Sequence, residues 1–152
     1  MRRGLACVVA ALLTWVPSPL WAQRVRQVFD GDTISVSGVG VVRLIGVDAP
    51  EKHGSYRQAE PFGDAAARYL RTLLEGRDVR LEFDGPRLDP YKRTLAYVFL
   101  ADGRLANLEV IRAGWAETYR RFTFRRKPDF LAAERDARTA HRGMWATRRA
   151  GR

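Results

Sequence analysis

Residues 25–51 read VRQVFDGDTISVSGVGVVRLIGVDAPE and contain three short apolar segments separated by two turns. The first segment runs from Val25 to Phe29, the second from Thr33 to Ser37 and the third from Val41 to Val47. β-Branched residues are frequent in all three, and the two glycines before the third segment are typical of a hairpin turn. The stretch therefore predicts three consecutive β-strands.

The rest of the chain contains two more strand patterns and three helix patterns. Apolar residues alternate with charged ones from Val79 to Phe83, and the segment from Leu95 to Leu100 is apolar on both faces, so both are predicted strands. Apolar residues at helical spacing predict three helices, each followed by a glycine. The three apolar stripes consist of Ala66, Tyr69, Leu70, Leu73 and Leu74, then Leu105, Leu108 and Ile111, then Phe130, Ala133, Ala137 and Ala140.

The predicted order is three strands, one helix, two strands and two helices. This order indicates an α+β fold that is mainly β. Five strands with a helix inserted after the third match a five-stranded OB-type Greek-key barrel with three packed α-helices. The pattern alone leaves other α+β arrangements open.

The first 22 residues are typical of a secretory signal peptide. Two arginines precede an apolar run from Leu5 to Val16, prolines follow it, and Ala22 suits the last position before cleavage. A membrane anchor is the alternative, but the run is shorter than the roughly 20 apolar residues that span a bilayer. We expect a leader at 1–22, one domain at 23–146 and a basic disordered tail at 147–152. The protein would then be periplasmic or secreted, without stable membrane association.

The chain is strongly basic, with 27 Lys and Arg against 17 Asp and Glu and a formal net charge of +10. Such a charge attracts polyanions and speeds their association. A GC-rich genome would also produce an excess of arginine, so composition alone does not assign phosphate contacts. The single cysteine, Cys7, lies in the leader, so no disulfide stabilises the domain.

Acidic residues follow the first and third predicted strands. The segment Asp30-Gly31-Asp32-Thr33 separates the first two strands, and by itself it is typical of a turn. Arg43 and Asp48 flank a short apolar segment, and Asp48-Ala49-Pro50-Glu51 then turns sharply. A third element, Asp89-Pro90-Tyr91-Lys92-Arg93, lies further along the chain. Carboxylates and arginines that converge in a basic protein indicate a metal site that handles phosphates.

Hydrolysis of a phosphodiester requires neutralised phosphate charge, an oriented water and a base. Asp32, Asp48 and the backbone carbonyl of Ala49 are the candidate metal ligands, and ligation by oxygen alone favours Ca²⁺ or Mg²⁺. Because these ligands do not fill the coordination shell of calcium, waters and a substrate phosphate would have to complete it. Metal binding should therefore be weak without nucleic acid and tighter with it.

Three further residues are candidates for catalysis. Glu51 is the candidate general base, or the group that orients the water. Arg43 and Arg93 are candidate phosphate clamps, because a guanidinium fork matches phosphate oxygens bidentately. A solvated surface charge is the alternative for either arginine, and only the neighbouring acidic residues favour a role in the site.

These motifs resemble those of the staphylococcal (micrococcal) nuclease family, also called thermonucleases. The matching stretches are residues 28–33, 43–51, 89–97 and 108–116, and the resemblance extends to Trp145. It implies an OB barrel, a Ca²⁺ cofactor and cleavage of DNA and RNA that leaves 3′-phosphate ends. By this resemblance the metal ligands are Asp32, Asp48 and Ala49. The catalytic residues are Arg43, Glu51 and Arg93, and Tyr91 contacts a phosphate.

The sequence departs from the family pattern at several positions. The family often has threonine where Ala49 stands, and the best-known member has lysine and glycine at the positions of Pro90 and Lys92. One phosphate contact is therefore missing, and the loop before the second arginine is expected to differ. Tyr119 and Phe122 lie where the family has tyrosines that pack on the base and sugar, so both are candidate substrate contacts.

Basic residues surround these two aromatic residues, which suits single-stranded or locally open nucleic acid. A charged loop with core aromatics is the alternative. The sequence as a whole predicts an exported, monomeric, calcium-dependent nuclease. Two other functions remain open: a non-catalytic nucleic-acid-binding OB domain, and an interaction domain of an exported secretion or conjugation apparatus. The presence of Arg43, Glu51 and Arg93 favours the enzyme over the first of these.

Overall fold

The computed structural model describes residues 22–54 and 58–146. The predicted tail lies outside these residues, as does all of the predicted leader except Ala22. The strands are β1 (Gln23–Val28), β2 (Thr33–Val36), β3 (Gly40–Leu44), β4 (Val47–Asp48), β5 (Asp78–Glu82), β6 (Thr94–Leu100) and β7 (Glu117–Thr118). The helices are α1 (Gly63–Leu74), α2 (Ala106–Arg112) and α3 (Lys127–Thr139), and a short 3-10 helix follows at Gly143–Trp145.

Five of the strands form a closed barrel in the order β1-β2-β3-β6-β5. β1 pairs in antiparallel fashion with both β2 and β5, and the second pairing closes the barrel. β3 pairs in parallel with β6, because α1 and β5 form the crossover that a parallel pair requires. This topology confirms the predicted fold, an OB-type barrel of the α+β class with three helices.

The register of the barrel strands brings the predicted motifs together. Thr33 of β2 lies opposite Arg43 of β3. Arg43 in turn lies opposite Leu95 of β6. Arg93 immediately precedes β6, so the pairing places both arginines and the Asp30–Thr33 turn at one end of the barrel.

The third predicted strand, from Val41 to Val47, is interrupted in the structure. β3 ends at Leu44, and Val47–Asp48 forms a separate two-stranded sheet with β7. Gly46 lies at the break with a φ of 77°, a left-handed conformation that glycine adopts without steric cost. A Cβ at Gly46 would also lie 2.5 Å from the ring of Phe124. The apolar pattern does not reveal the break because apolar residues continue on both sides of the glycine.

The helices extend the barrel core. α1 contacts β1, and α2 contacts β6 and both other helices. The predicted stripes supply residues that are fully buried, among them Leu70, Leu74, Ile111 and Phe130. These side chains join those of the barrel in one continuous core. Within residues 22–54 and 58–146, no helix is long and apolar enough to cross a membrane.

A buried carboxylate fastens β7 to α3. Glu134 is 1% exposed and accepts hydrogen bonds from the backbone N–H of Thr118 at 2.9 Å and from the guanidinium groups of Arg120 at 2.9 Å and Arg138 at 2.6 Å. Burial raises the pKa of Glu134, but these hydrogen bonds outweigh burial, so the pKa lies below its usual value. The folded protein therefore keeps Glu134 ionised at pH values where the unfolded chain binds a proton.

We expect this group to contribute stability above pH 4.5, the usual pKa of glutamate, and to lose that contribution as the pH falls through the lower folded pKa. Glu134→Gln should lower the free energy of unfolding at neutral pH by about 2 kcal/mol. In this variant the free energy of unfolding should also fall less steeply as the pH is lowered. Urea unfolding at a series of pH values measures both effects. Glu109→Gln, which removes a carboxylate paired with Arg112 on α2, is the control. An unchanged acid decline in the Glu134 variant would contradict the assignment.

Candidate active site

The Asp30–Thr33 turn places a buried carboxylate at the end of the barrel. Asp32 is 7% exposed. Its Oδ2 accepts a hydrogen bond from the backbone N–H of Ala49 at 3.1 Å, and its Oδ1 accepts one from the hydroxyl of Thr33 at 3.0 Å. Gly31 permits this approach, since a Cβ there would lie 2.6 Å from the Cβ of Ala49. The glycine of the motif therefore serves packing as well as the turn.

Arg43 links the two predicted metal-binding carboxylates. Its Nη2 lies 2.9 Å from Asp32 Oδ2 and 4.0 Å from Asp48 Oδ1. Its Nη1 donates a hydrogen bond to the carbonyl of Val47 at 2.7 Å. The side chain of Arg43 is only 15% exposed, so this arginine is held by the protein and is not a solvated surface charge.

The charge on Asp32 is unfavourably buried. Burial raises the pKa of Asp32 to about 7, Arg43 opposes this increase, and Asp30 adds to it. A cation at this carboxylate would lower the pKa again, because it favours the ionised form. The position of Asp32 is therefore one that a bound ion would stabilise.

The second predicted arginine is held by its own loop. Arg93 Nε donates a hydrogen bond to Asp89 Oδ2 at 2.7 Å, and Asp89 Oδ1 accepts from the backbone N–H groups of Tyr91 and Arg93, both at 2.9 Å. Burial raises the pKa of Asp89, but the hydrogen bonds from Arg93 and Tyr91 outweigh burial and lower it. Arg93 Nη1 lies 3.4 Å from Thr33 Oγ1, so the guanidinium reaches the Asp32 cluster.

The loop before Arg93 carries two of the departures from the family pattern, Pro90 and Lys92. Lys92 has a φ of 62°, in the left-handed region that favours glycine. The backbone therefore keeps a conformation suited to glycine although a lysine occupies the position. Tyr91 is 72% exposed, and its ring centroid lies 5.4 Å from the guanidinium carbon of Arg93. The ring of Tyr91 is thus next to the arginine that is predicted to bind phosphate.

Glu51 lines a cleft of about 240 Å³ beside the buried cluster. The lining includes Asp48, Ala49, Glu51, Glu60 and Glu117. The N–H of Glu51 donates to Glu60 Oε2 at 3.1 Å, and the N–H of Glu60 donates to the carbonyl of Glu51 at 2.8 Å. Gly63 packs against the same carbonyl, since a Cβ there would lie 2.0 Å from it. The backbone of Glu51 is therefore clamped beside two of the predicted metal ligands.

The two predicted base-contacting residues form a separate pair. The ring centroids of Tyr119 and Phe122 lie 4.8 Å apart, and Phe122 is 41% exposed. The N–H of Tyr119 donates to the carbonyl of Gly46 at 2.9 Å, which places the pair next to β4. Within residues 22–54 and 58–146, no hydrogen bond, ion pair or ring contact joins this pair to Asp32 or Arg93.

Most cations near these aromatic residues bind protein groups. Arg120 pairs with Glu134, and Arg125 pairs with a carboxylate of β5. Lys127 Nζ donates a hydrogen bond to the carbonyl of Phe122 at 2.9 Å. Phe124, from the same segment, is buried in the core. The segment therefore has features of both interpretations: an exposed aromatic ring that could contact a base, and paired charges with a core aromatic residue, as in a charged loop.

The donor set suits a weakly bound hard cation. Asp32 and Asp48 both approach the same nitrogen atom of Arg43. Among the residues that the structure describes, no three His, Cys, Asp or Glu side chains form a group able to hold a metal. Two carboxylates and a backbone carbonyl supply only part of the shell of Ca²⁺ or Mg²⁺. The residues present therefore fit an ion that also takes water and substrate oxygens as ligands, which complete its coordination shell.

The sequence pattern did not reveal several residues that support the site. Thr33 bonds to Asp32 and approaches Arg93, and Glu60 and Gly63 hold Glu51. Asp89 and Arg93 form an ion pair within one short loop, and their closeness in the sequence was the available signal for it. The clamp on Glu51 had no comparable signal, because it crosses a loop.

The chain also matches known proteins in sequence. The family model described as staphylococcal nuclease homologue matches residues 41–147. This range contains Arg43, Asp48, Glu51 and Arg93 and begins after Asp32.

Three relatives are similar to this chain over most of its length. A thermonuclease from Staphylococcus intermedius is 42% identical over 95 residues, which are 60% of this chain and 56% of that protein. A thermonuclease from Staphylococcus hyicus is 32% identical over 127 residues, 81% of this chain and 75% of the relative. An uncharacterized endonuclease from Escherichia coli O157:H7 is 33% identical over 126 residues, 81% of this chain and 76% of the relative. The chain thus spans little more than half of the first relative and about three quarters of the other two. It belongs to the staphylococcal nuclease family.

Proposed function

We propose that the protein is an exported, calcium-dependent nuclease that hydrolyses the phosphodiester bonds of DNA and RNA and leaves 3′-phosphate ends. One observation carries this proposal: two carboxylates and two oriented guanidinium groups meet at one end of the barrel, beside a cleft that contains Glu51. Relatives named thermonuclease and endonuclease support the reaction class. The choice of calcium and the 3′-phosphate products rest on the family resemblance.

The arginines would bind and stabilise the phosphate. Arg93 is 30% exposed, and its Nη2 has no hydrogen-bond partner within residues 22–54 and 58–146. This nitrogen can therefore donate to a phosphate oxygen while Asp89 holds the other side of the guanidinium. Arg43 would stabilise the charge that develops on the same phosphate, from a position that the protein fixes in advance.

Glu51 would act on the attacking water. A carboxylate at the cleft edge can orient a water or take its proton as the water attacks phosphorus. The bond between phosphorus and the 5′-oxygen would then break, the 5′-oxygen would take up a proton from solvent, and the phosphate would remain on the 3′ side. A Ca²⁺ ion held by Asp32, Asp48 and the carbonyl of Ala49 would supply positive charge at the phosphate. Tyr91 would contact a terminal phosphate.

The proposed substrate is single-stranded or locally open nucleic acid. Tyr119 and Phe122 offer ring surface on which unpaired bases can stack. The leader sequence supports export to the periplasm or beyond. The exported protein would be a monomer without stable membrane association.

Digestion of single-stranded DNA, duplex DNA and RNA by the purified protein tests this function. Each substrate is incubated with calcium, with magnesium and with a chelator, and the product ends are mapped. We expect cleavage only with calcium, faster on single strands, with 3′-phosphate ends. Tight binding without cleavage in every metal would instead favour the non-catalytic binding domain.

Gly63→Ala tests the support of Glu51. The new Cβ would collide with the carbonyl of Glu51, and a displacement of about 1 Å should lower kcat/KM about a hundredfold. Gly85→Ala is the control, because the space around Gly85 is open and its positive φ costs only stability. Rates are measured below both melting transitions. Wild-type kcat/KM in folded Gly63→Ala would show that the close packing is not needed.

A further inference from the structure

An unfavourable charge pair lies on the small two-stranded sheet. β4 and β7 are antiparallel, and Asp48 lies directly opposite Glu117. Like charges at directly opposed positions destabilise a sheet. Asp48 is a proposed metal ligand, whereas Glu117 has no role in the proposed reaction. A residue that breaks a local rule in this way is expected at functional sites.

The carboxylate of Glu117 has cationic neighbours on one side and can still accept hydrogen bonds on the other. Its Oε2 lies 3.8 Å from Arg120 Nη1 and 3.5 Å from Arg138 Nη2, distances too long for strong hydrogen bonds. Within residues 22–54 and 58–146, its Oε1 has no hydrogen-bond partner. The side chain is 38% exposed. The carboxylate is therefore steered from one side and available to a ligand on the other.

An aromatic ring projects from the same side of the chain. Thr118, 1% exposed, points into the protein, and the hydrogen bond from the N–H of Tyr119 to Gly46 continues the pairing one residue beyond β7. Because side chains alternate along a strand, we expect Glu117 and Tyr119 to share a side. The backbone N–H of Thr118 is held by buried Glu134, and that of Tyr119 bonds to Gly46, which keeps the segment extended. A ring for stacking beside an edge-reading acceptor is the composition of a nucleobase site.

The cleft beside Glu117 favours a base over a phosphate. Asp48, Glu51 and Glu60 also line it. In the part of the cleft that the proposed ion does not reach, these four carboxylates repel a phosphate. The cleft volume of about 240 Å³ is smaller than the roughly 300–1,000 Å³ of pockets that hold drug-sized ligands. A single base is therefore the part of the substrate that suits this space.

We propose that Glu117 selects guanine beside the cleaved bond, an inference that rests on the proposed nuclease function. The Watson–Crick edge of guanine presents two adjacent donors, N1–H and the N2 amine, and an ionised carboxylate accepts at both oxygens. Adenine and cytosine present one amine next to an acceptor nitrogen, and thymine and uracil present one N–H between two carbonyls. Only guanine matches the carboxylate at two points. This edge is free only in unpaired nucleic acid.

Base analogues test the proposal. Single-stranded oligonucleotides of one sequence carry guanine, hypoxanthine, 7-deazaguanine or adenine at a single position, and cleavage beside that position is measured. We expect guanine to exceed adenine about tenfold, 7-deazaguanine to equal guanine, and hypoxanthine, which lacks the N2 amine, to fall toward adenine. Glu117→Gln should remove the difference between guanine and hypoxanthine. Glu82→Gln, which removes the same charge from β5 outside the cleft, should keep it.

Binding of the same oligonucleotides, measured by fluorescence anisotropy with chelator, separates this proposal from the proposed reaction. Loss of cleavage on every substrate would refute the nuclease, while the binding preference would still decide the role of Glu117. Equal binding and cleavage of guanine and hypoxanthine by the wild type would overturn the proposal. So would an unchanged preference in Glu117→Gln. A changed calcium requirement with unchanged base preference would assign Glu117 to the metal site and also overturn it.

Discussion

Arg93→Ala is expected to lower kcat about a thousandfold while the protein remains folded. The guanidinium is 30% exposed and fills no core position. Its loss takes the ion-pair partner from Asp89, whose side chain is 9% exposed, but Asp89 keeps the backbone N–H donors of Tyr91 and Arg93. The cost in stability should therefore be smaller than for Arg43. The orientation of the Arg93 guanidinium is fixed by Asp89, through Nε and through the turn that Asp89 forms with the backbone of Tyr91 and Arg93. A donor fixed in advance stabilises developing charge without reorganisation, which is why its removal should act mainly on kcat.

Two further variants show whether charge or geometry matters at this position. Arg93→Lys keeps the charge, but a single ammonium cannot reproduce the fork that contacts Asp89 and a phosphate together, so little activity should return. Arg87→Ala removes a cation from the same loop, where Arg87 lies 3.8 Å above the ring of Phe83, and should leave kcat unchanged. Single-turnover rates and melting temperatures are compared for all three. A folded Arg93→Ala enzyme with wild-type kcat would remove Arg93 from the mechanism.

The barrel could be predicted because it depends on local patterns. Alternating and continuous apolar segments marked its five strands, and glycines marked the ends of the helices, as at Gly76, whose φ is 73°. The proximity of Asp32 and Arg43 follows from the hairpin that joins their strands. The approach of Arg93 needs the parallel crossover between β3 and β6, which the fold class implied.

The small sheet could not be predicted, because its cause is tertiary. β4 and β7 have only two residues each, too few for a periodic pattern. The ring of Phe124, which lies far away in the sequence, leaves no room for a side chain at Gly46. Glu117 consequently had no recognisable place in the site, although it lies opposite Asp48.

The burial of Arg43 was likewise invisible in the sequence. A charged residue within a strand pattern is expected to face solvent, and its residue type does not distinguish a solvated arginine from a buried one. The side chain instead turns toward the carboxylate of Asp32 and toward the carbonyl of Val47, which lies beyond the break at Gly46. This difference makes the two catalytic candidates, Arg43 and Arg93, unequal in their effect on stability.

Arg43→Ala is therefore expected to lose both activity and stability. Removing the cation leaves Asp32, whose side chain is 10% exposed, without its ion-pair partner. Loss of one partner from a buried ion pair costs about 3 kcal/mol, and the carbonyl of Val47 also loses its donor. The rate should fall about a thousandfold as well, because Arg43 is proposed to stabilise the same phosphate charge.

The double variant Asp32→Asn/Arg43→Ala separates these two effects of Arg43. Neutralising Asp32 removes the unpaired charge, so urea unfolding should show stability recovered toward that of the wild type. Activity should not recover, because both a metal ligand and a phosphate clamp are missing, and calcium titration should show weaker binding. If the double variant were as unstable as Arg43→Ala, an unpaired Asp32 would not be the cause of the instability. If Arg43→Ala kept the wild-type kcat at a temperature where it is folded, the ion pair with Asp32 would be its whole role.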